Sequence, residues 1–236
     1  METYTTSLGN SAANALPANR AQFIRKTYTL LAVAIAAFIG VEVVLFTSGA
    51  AQMVASLIFG TGGMGWLAVL GLFMLVSFLS ERWATSETSA ATQYFGLAVY
   101  VVAEALIFVP LLYLATYYAE DANVILKAGI VSIGLFLGIT ATVLLTRSDF
   151  SFLGPILAIG GFAAMGFIVA SLIFGFTLGN VFAFVMVAFA GSAILYQTSN
   201  VLHRFRTDQH VAASLVLFAS VALLFWYILR IFSSRR

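Results

Sequence analysis

The sequence has no cysteine among its 236 residues, and few of its side chains are charged. The absence of cysteine excludes disulfides, thiolate zinc sites, iron–sulfur clusters and cysteine nucleophiles. Charged residues make up only 8% of the chain, whereas a soluble domain of this size needs about a quarter to cover its surface. Because 62% of the residues are hydrophobic, lipid must cover that surface instead. The composition predicts a polytopic membrane protein whose main partner is the lipid bilayer.

Seven apolar runs are long enough to cross a bilayer, which takes roughly 20 residues in a helix. They are predicted over residues 28–47, 65–80, 92–117, 124–146, 152–174, 180–202 and 211–232. The shorter apolar run 50–59 is predicted to lie at the interface or to begin the next helix. Residues 1–24 are predicted to be a disordered polar arm without the apolar region of a signal peptide. Residues 25–236 then form a single transmembrane domain, and the fold class is all-α.

Lysine and arginine residues predict the orientation, because cytoplasmic loops carry an excess of them. With the N-terminus inside, the basic residues of the inner side are Arg20, Arg25, Lys26, Arg82, Arg147, Arg204 and Arg206. The outer loops hold only Lys127, although Arg230, Arg235 and Arg236 at the C-terminus would also lie outside, against the rule. The last run therefore either crosses regardless or folds back as a re-entrant hairpin. It contains no glycine or proline for such a turn, so crossing is the favoured prediction.

Several motifs are set aside because their context is wrong for the chemistry they suggest. The glycines of residues 60–65 match the dinucleotide fingerprint in spacing, but no strand precedes them, so a flexible turn is favoured and no cofactor is expected. Gly134 and Gly138 predict a close helix contact, more often inside one chain than between copies. His203 and His210 are predicted to lie at headgroup level, because no third ligand accompanies them. No nucleophile and base are paired in the sequence, so we do not expect an enzyme. The formal charge of +2, spread over segment ends, gives no reason to expect a nucleic-acid partner.

Two acidic residues lie within predicted membrane spans. Glu104 is near the middle of the third span, and Glu42 is in the outer half of the first. A carboxylate in hydrocarbon costs several kcal/mol, so such a residue faces protein or water, pairs with a partner, or stays protonated. Pro110 has no amide hydrogen to donate to the carbonyl of Leu106, so this carbonyl is left free near Glu104. Together the free carbonyl and the acid would form a binding site for a cation or a proton on its way through the membrane. The alternative for each acid is a protonated carboxyl that hydrogen-bonds a neighbouring helix and serves packing alone.

The last ninety residues contain short motifs that resemble the signature of the Bax inhibitor-1 family. These motifs are Tyr-Gln-Thr at 196–198, His-Arg-Phe-Arg-Thr-Asp-Gln at 203–209, Tyr-Ile-Leu-Arg at 227–230 and Asp-Phe-Ser-Phe-Leu-Gly at 149–154. The resemblance extends over residues 20–236 and is closest to bacterial members, which implies a bacterial cytoplasmic membrane with the N-terminus in the cytoplasm. It also implies a bundle of seven helices in which six surround the last, and a pH-sensitive calcium leak.

The resemblance further implies a pair of aspartates, one on each of the last two helices, that share a proton and gate the pore. Here Gln197 and Ser220 occupy those positions. Neither side chain titrates, so the pH gate is predicted to be absent, although a Gln–Ser hydrogen bond could still join the helices. Calcium affinity at this point should fall, because calcium prefers carboxylate oxygen. Glu104 and Glu42 remain as candidates for an acidic site.

The loop before the last span carries three charged residues. Asp208 is predicted to cap the last helix by accepting its first amide hydrogens. Arg204 and Arg206 are predicted either to latch onto Asp149 and Glu81 of other inner loops or, more simply, to anchor the loop at the lipid phosphates.

Two functions stay open at this point. The first is a leak pathway for calcium, another cation or protons, with Glu104 at its centre. The second is a non-conducting membrane regulator that binds another membrane protein, such as a quality-control protease.

Overall fold

The computed structural model describes residue 12 and residues 14–85 and 89–234, and this part of the chain contains eight α-helices. In chain order they are α1 Pro17–Thr47, α2 Ala50–Gly60, α3 Gly62–Ala84, α4 Ala90–Tyr117, α5 Val124–Thr146, α6 Leu153–Phe174, α7 Gly179–His203 and α8 His210–Ser233. All but α2 are long and apolar enough to cross a membrane. The seven predicted spans and the all-α fold class are therefore confirmed. The short run 50–59 forms a helix of its own, and α3 begins at Gly62, whose own φ is positive at 59°.

The first helix begins earlier than the apolar run suggested. It starts at Pro17 rather than near Tyr28, so the predicted disordered arm over residues 1–24 is wrong from residue 17 onward. Proline is well suited to the first helical turn, where its missing amide hydrogen is not needed. Phe23 and Thr27 are buried against the bundle, and this packing holds a helical segment whose composition is polar. Residues 1–11 and 13 of the arm lie outside the described residues.

The last helix is the centre of the bundle, as predicted. In its most apolar stretch 72% of the residues are buried inside the protein, against 56% for α4 and 28% or less for the other spans. It packs on α1, α3, α4, α5 and α7. The helix is continuous over 24 residues, which gives a length of about 36 Å at 1.5 Å per residue. The re-entrant alternative is therefore excluded.

The helix termini gather at two ends of the bundle. At one end the starts of α4 and α8 meet, with the Tyr94 hydroxyl 3.0 Å from His210 Nε2. At the other end Trp66 of α3 stacks on Trp226 of α8 with ring centroids 6.3 Å apart. The loops and termini at the first end carry the basic residues Arg82, Arg147, Arg204 and Arg206, and we call it the basic end. The second is the opposite end.

The paired glycines Gly134 and Gly138 of α5 do not make the predicted close contact inside the chain. A Cβ atom added at Gly134 or at Gly138 would meet nothing within 4 Å, and both residues are exposed. The close crossing lies elsewhere, at Gly96 of α4. A Cβ there would lie 2.7 Å from the carbonyl oxygen of Ser80 and 2.9 Å from the amide nitrogen of Ala84. A contact between copies through Gly134 and Gly138 remains a prediction.

Candidate ion pathway

Glu104 is buried in the bundle, and only 6% of it is exposed. Tyr100, one turn earlier on α4, places its hydroxyl against the Glu104 carboxyl and also interacts with Ser77 of α3. The carboxyl oxygen Oε2 is buried without a hydrogen-bond partner. A buried oxygen without a donor is costly, so this atom would favour a proton, a water molecule or a cation beside it.

The Glu104 side chain lines a cavity of about 800 Å³ between α3, α4, α6 and α8. Its lining extends from Glu81 near the basic end of α3 to Arg230 near the opposite end of α8. Further polar side chains lie along it, namely Ser77, Tyr100, Ser171, Thr177 and Tyr227. A polar cavity of this size has room for water molecules. Glu104 thus lies between the two ends of a partly polar cavity.

A second cavity, of about 640 Å³, lies at the opposite end and shares Trp66, Trp226 and Arg230 with the first. Pro110 and Glu120 line this second cavity, whereas Glu104 does not. The helix α4 continues through Pro110. Pro110 and Glu104 therefore line different cavities and do not form one cation-binding site. Arg230 stands where the two cavities meet.

Glu42 lies in a different environment from Glu104. It lines a third cavity, of about 510 Å³, between α1, α4, α5 and α8. The lining of this cavity is almost entirely apolar, and neither oxygen of the Glu42 carboxyl has a hydrogen-bond partner. The two membrane acids therefore do not form one site.

Gln197 and Ser220 each hydrogen-bond within their own helix. The Gln197 oxygen Oε1 accepts from Asn200 Nδ2 at 3.2 Å, and Ser220 Oγ donates to the carbonyl of Val216 at 2.8 Å. The predicted hydrogen bond between Gln197 and Ser220 is therefore not formed. One reason is that serine in a membrane helix readily donates to the carbonyl one turn earlier. Another is register, because Gln197 lies nearer than Ser220 to the connection that joins these antiparallel helices.

Residues next to Gln197 form contacts that the sequence motif did not reveal. Thr198 is fully buried, and together with Thr140 of α5 it lies near the hydroxyl of Tyr28 on α1, although the three hydroxyl groups form no hydrogen bond with one another. This polar cluster joins three helices near the start of α8. Thr198 belongs to the motif at 196–198, so the sequence could have pointed to this one member of the cluster. The contribution of Tyr28 and Thr140 depends on packing between distant segments.

The loop before α8 is organised differently from the prediction. Gln209 occupies the N-cap position of α8 without a side-chain cap hydrogen bond, and the predicted cap by Asp208 is not formed. Asp208 pairs with Arg206 at 2.5 Å inside the loop, and this hydrogen bond holds the pKa of the Asp208 carboxyl below its usual value. The Gln209 side chain accepts from the Arg206 amide at 3.0 Å.

Arg204 and Arg206 do not contact Asp149 as predicted. The loop that carries Asp149 is instead joined to α7 by Ser199. Ser199 of α7 accepts a hydrogen bond from the amide of Phe150 at 2.9 Å and lies 3.4 Å from the Asp149 carboxylate. The amide of Ser151 donates to Asp149 and lowers the pKa of that carboxyl. Among the described residues, no ion pair joins Arg204 or Arg206 to Asp149 or to Glu81. Anchoring at lipid phosphates stays a prediction for the two arginines.

Within the described part of the chain, no three histidine or acidic side chains lie close enough together to hold a metal ion. His203 contacts Ser199 one turn earlier, and His210 contacts Tyr94. The two histidines are thus engaged by separate helices.

Comparison with known proteins decides the family. A family model described as inhibitor of apoptosis-promoting Bax1 matches residues 20–236. This chain belongs to the Bax inhibitor-1 family. The match extends over all seven spans and includes the motifs at 149–154, 196–198, 203–209 and 227–230.

Similar proteins occur in bacteria, fungi and viruses. An uncharacterised protein of Pseudomonas aeruginosa is 31% identical over 166 residues, which is 69% of each chain. Bax inhibitor 1 of Schizosaccharomyces pombe is 33% identical over 118 residues, or 47% of this chain and 42% of that protein. The Golgi anti-apoptotic protein of vaccinia virus is 30% identical over 122 residues, covering 49% of this chain and 48% of the viral protein. The alignments with the fungal and viral relatives thus span less than half of their length.

Proposed function

We propose that this Bax inhibitor-1 family protein is a cation leak pathway in which Glu104 is the acidic site. The observation that supports this proposal is the unpartnered Glu104 oxygen in the cavity that extends from Glu81 to Arg230. A carboxyl group in such a place is free to take up a proton or to meet a passing cation. Calcium or protons are the cations that the resemblance to the family implies.

The residues around Glu104 have distinct parts in this proposal. Glu81 attracts cations at the basic end of the cavity, and the Tyr100 hydroxyl lies beside the Glu104 carboxyl. Arg230 near the opposite end opposes the entry of a cation, so it sets a barrier between the two cavities. Opening then requires Arg230 or the stacked pair Trp66 and Trp226 to move.

The family's aspartate gate is replaced in this proposal by side chains that do not titrate. Gln197 and Ser220 are each satisfied within their own helix, so protonation releases no charge between α7 and α8. Any pH dependence of the leak would come from Glu104, with Glu42 as a second candidate. Because Glu42 lines a separate and apolar cavity, we expect it to matter less to the leak.

We also propose that the protein is oriented with its basic end and N-terminus in the cytoplasm. Arginines at the ends of α3, α5 and α7 give this end the positive charge that cytoplasmic loops carry. Relatives in Pseudomonas aeruginosa and in Neisseria meningitidis support a bacterial cytoplasmic membrane. In this setting the protein acts on ions or on other membrane proteins, and we propose no enzymatic reaction.

Flux measurements in liposomes test the leak. Purified protein is reconstituted with a calcium dye or a pH dye inside the vesicles, and flux is recorded at about pH 6 and about pH 8. We expect Glu104→Gln to reduce the flux about tenfold or more, because the acidic site is lost while the shape is kept. Glu42→Gln makes the same chemical change in the other cavity and serves as the matched variant. Equal flux in wild type and Glu104→Gln would contradict the proposal.

The alternative function is that of a non-conducting regulator that binds another membrane protein, such as a quality-control protease. The observation that favours it is the absence of a titrating group at both Gln197 and Ser220. In that case wild-type protein gives no flux above empty vesicles at either pH. Crosslinking in native membranes should then capture a membrane-protein partner.

A further inference from the structure

The residues that line the cavity beside Glu42 are almost all apolar, which is unlike the lining of an ion pathway. Its volume of about 510 Å³ lies in the range of sites for drug-sized ligands. Glu42 is the one charged residue among the described residues that line it, and the remainder are almost all apolar. Several lining side chains are also exposed on the outside of the bundle, including Ile39 and Val43 of α1 and Ile130 of α5. The cavity therefore opens sideways, between α1 and α5, towards the lipid.

The Glu42 carboxyl points to the kind of ligand. The residue is only 7% exposed, and both of its oxygens are buried with no hydrogen-bond partner. Ser132 also lines the cavity, but its hydroxyl donates to the carbonyl of Ala128 at 2.7 Å. A buried acid without donors is costly in this surrounding, so a ligand that brings a donor or a positive charge gains from the contact.

Aromatic side chains complete the walls near the acid. Phe38 and Phe46 of α1 and Phe218 and Phe225 of α8 line the same cavity. The faces of aromatic rings attract ammonium groups, and the attraction is stronger where the contact is shielded from water. A metal ion would need several oxygen ligands, and this cavity offers one carboxyl group. A lipid chain would fill the volume but leave the carboxyl without a partner.

We propose that the cavity beside Glu42 binds a lipophilic cation, with an apolar body in the pocket and an ammonium group against the Glu42 carboxyl. The ligand enters from the bilayer through the opening between α1 and α5. Its binding is independent of whether the Glu104 cavity conducts ions.

Equilibrium dialysis with the protein in phosphatidylcholine nanodiscs tests this proposal. The probe is a naphthylalkyl trimethylammonium, and its uncharged counterpart carries a tert-butyl group of the same shape. Empty nanodiscs provide the background partitioning of each compound. We expect saturable binding of the cation at one site per chain, and binding about tenfold weaker in Glu42→Gln. Glu104→Gln makes the same change in the other cavity and should bind the cation as wild type does.

A second variant tests the position of the site with the acid intact. A side chain added at Gly129, which lines the cavity, would start in open space, so Gly129→Leu should fold normally and obstruct the pocket. We expect it to lose cation binding although Glu42 is present. Undiminished binding in either Glu42→Gln or Gly129→Leu would overturn the proposal. Equal saturable binding of the uncharged counterpart would also overturn it and identify a groove for lipid chains.

Discussion

Two glutamates within the membrane occupy surroundings that suit them to different tasks. Glu104 has the Tyr100 hydroxyl beside it and shares its cavity with Glu81 and Arg230. Glu42 stands alone among apolar and aromatic side chains in a cavity that opens towards lipid. The first carboxyl lies in a partly polar cavity with charged residues towards both ends, and the second lies in an apolar pocket with no other charged residue among the described residues that line it. The neighbours of each carboxyl, more than its depth, determine what it can do.

A glycine at a helix crossing gives a prediction for stability. Gly96→Ala should destabilise the protein by about 1–3 kcal/mol, because the new methyl group would collide with the backbone of α3 at Ser80 and Ala84. Backbone atoms in a helix cannot move aside as the tip of a flexible side chain can. Thermal unfolding in detergent measures the effect, which should appear as a lower melting temperature.

Gly71→Ala is the matched control for this variant. Gly71 lies in α3, and a Cβ atom there would meet nothing within 4 Å. The change should be neutral or slightly stabilising, because alanine favours helix more than glycine does. Equal melting temperatures for Gly96→Ala and Gly71→Ala would show that α3 and α4 are not in close contact.

The bounds of the helices show which structural properties of this chain can be predicted from its local sequence. The span predicted over 180–202 is α7, Gly179–His203, because the length of an apolar run is a local property. The start of α1 at Pro17 could not be predicted, because burial of Phe23 and Thr27 holds its polar first turns.

The candidate site was less predictable than the spans, because it depends on register between helices. The motifs identified Gln197 and Ser220, but each is satisfied within its own helix. Glu104 and Glu42 could be singled out from the sequence as acids in apolar runs. Their separation into two cavities depends on which helices pack on α8, and one sequence does not reveal that packing.

A contact between elements at the basic end gives a second prediction for stability. Ser199→Ala should cost about 1–3 kcal/mol, because the amide of Phe150 would lose the acceptor that ties the α5–α6 connection to α7. Ser192→Ala is the matched control, since Ser192 donates only to Ala188 within the same helix. Melting temperatures compare the variants, and hydrogen exchange should rise over residues 147–152 in Ser199→Ala alone. Unchanged exchange there would contradict the role of Ser199.

At the scale of the whole molecule, the distribution of charge and the central position of α8 act together. The connections at the basic end bring Arg82, Arg147, Arg204 and Arg206 to one side of the membrane. On the opposite side, Lys127 is paired with Asp121 at 2.5 Å, which reduces the net positive charge there. The central helix carries Arg230 to that side, against the usual bias. Five other helices pack on α8, so its position is set by the bundle as much as by its own charges.

The absence of cysteine makes this orientation directly testable, because a single introduced cysteine is the only thiol in the chain. Ser148→Cys and Thr85→Cys place a thiol at exposed positions of the basic end, and Ala122→Cys and Thr177→Cys place one at the opposite end. A membrane-impermeant maleimide added to intact spheroplasts should label Ala122→Cys and Thr177→Cys but not the other two. Permeabilised cells should label all four, which controls for accessibility. Labelling of Ser148→Cys and Thr85→Cys in intact spheroplasts would place the basic end outside and contradict the orientation, whereas labelling at both ends would indicate that the chain inserts in two directions.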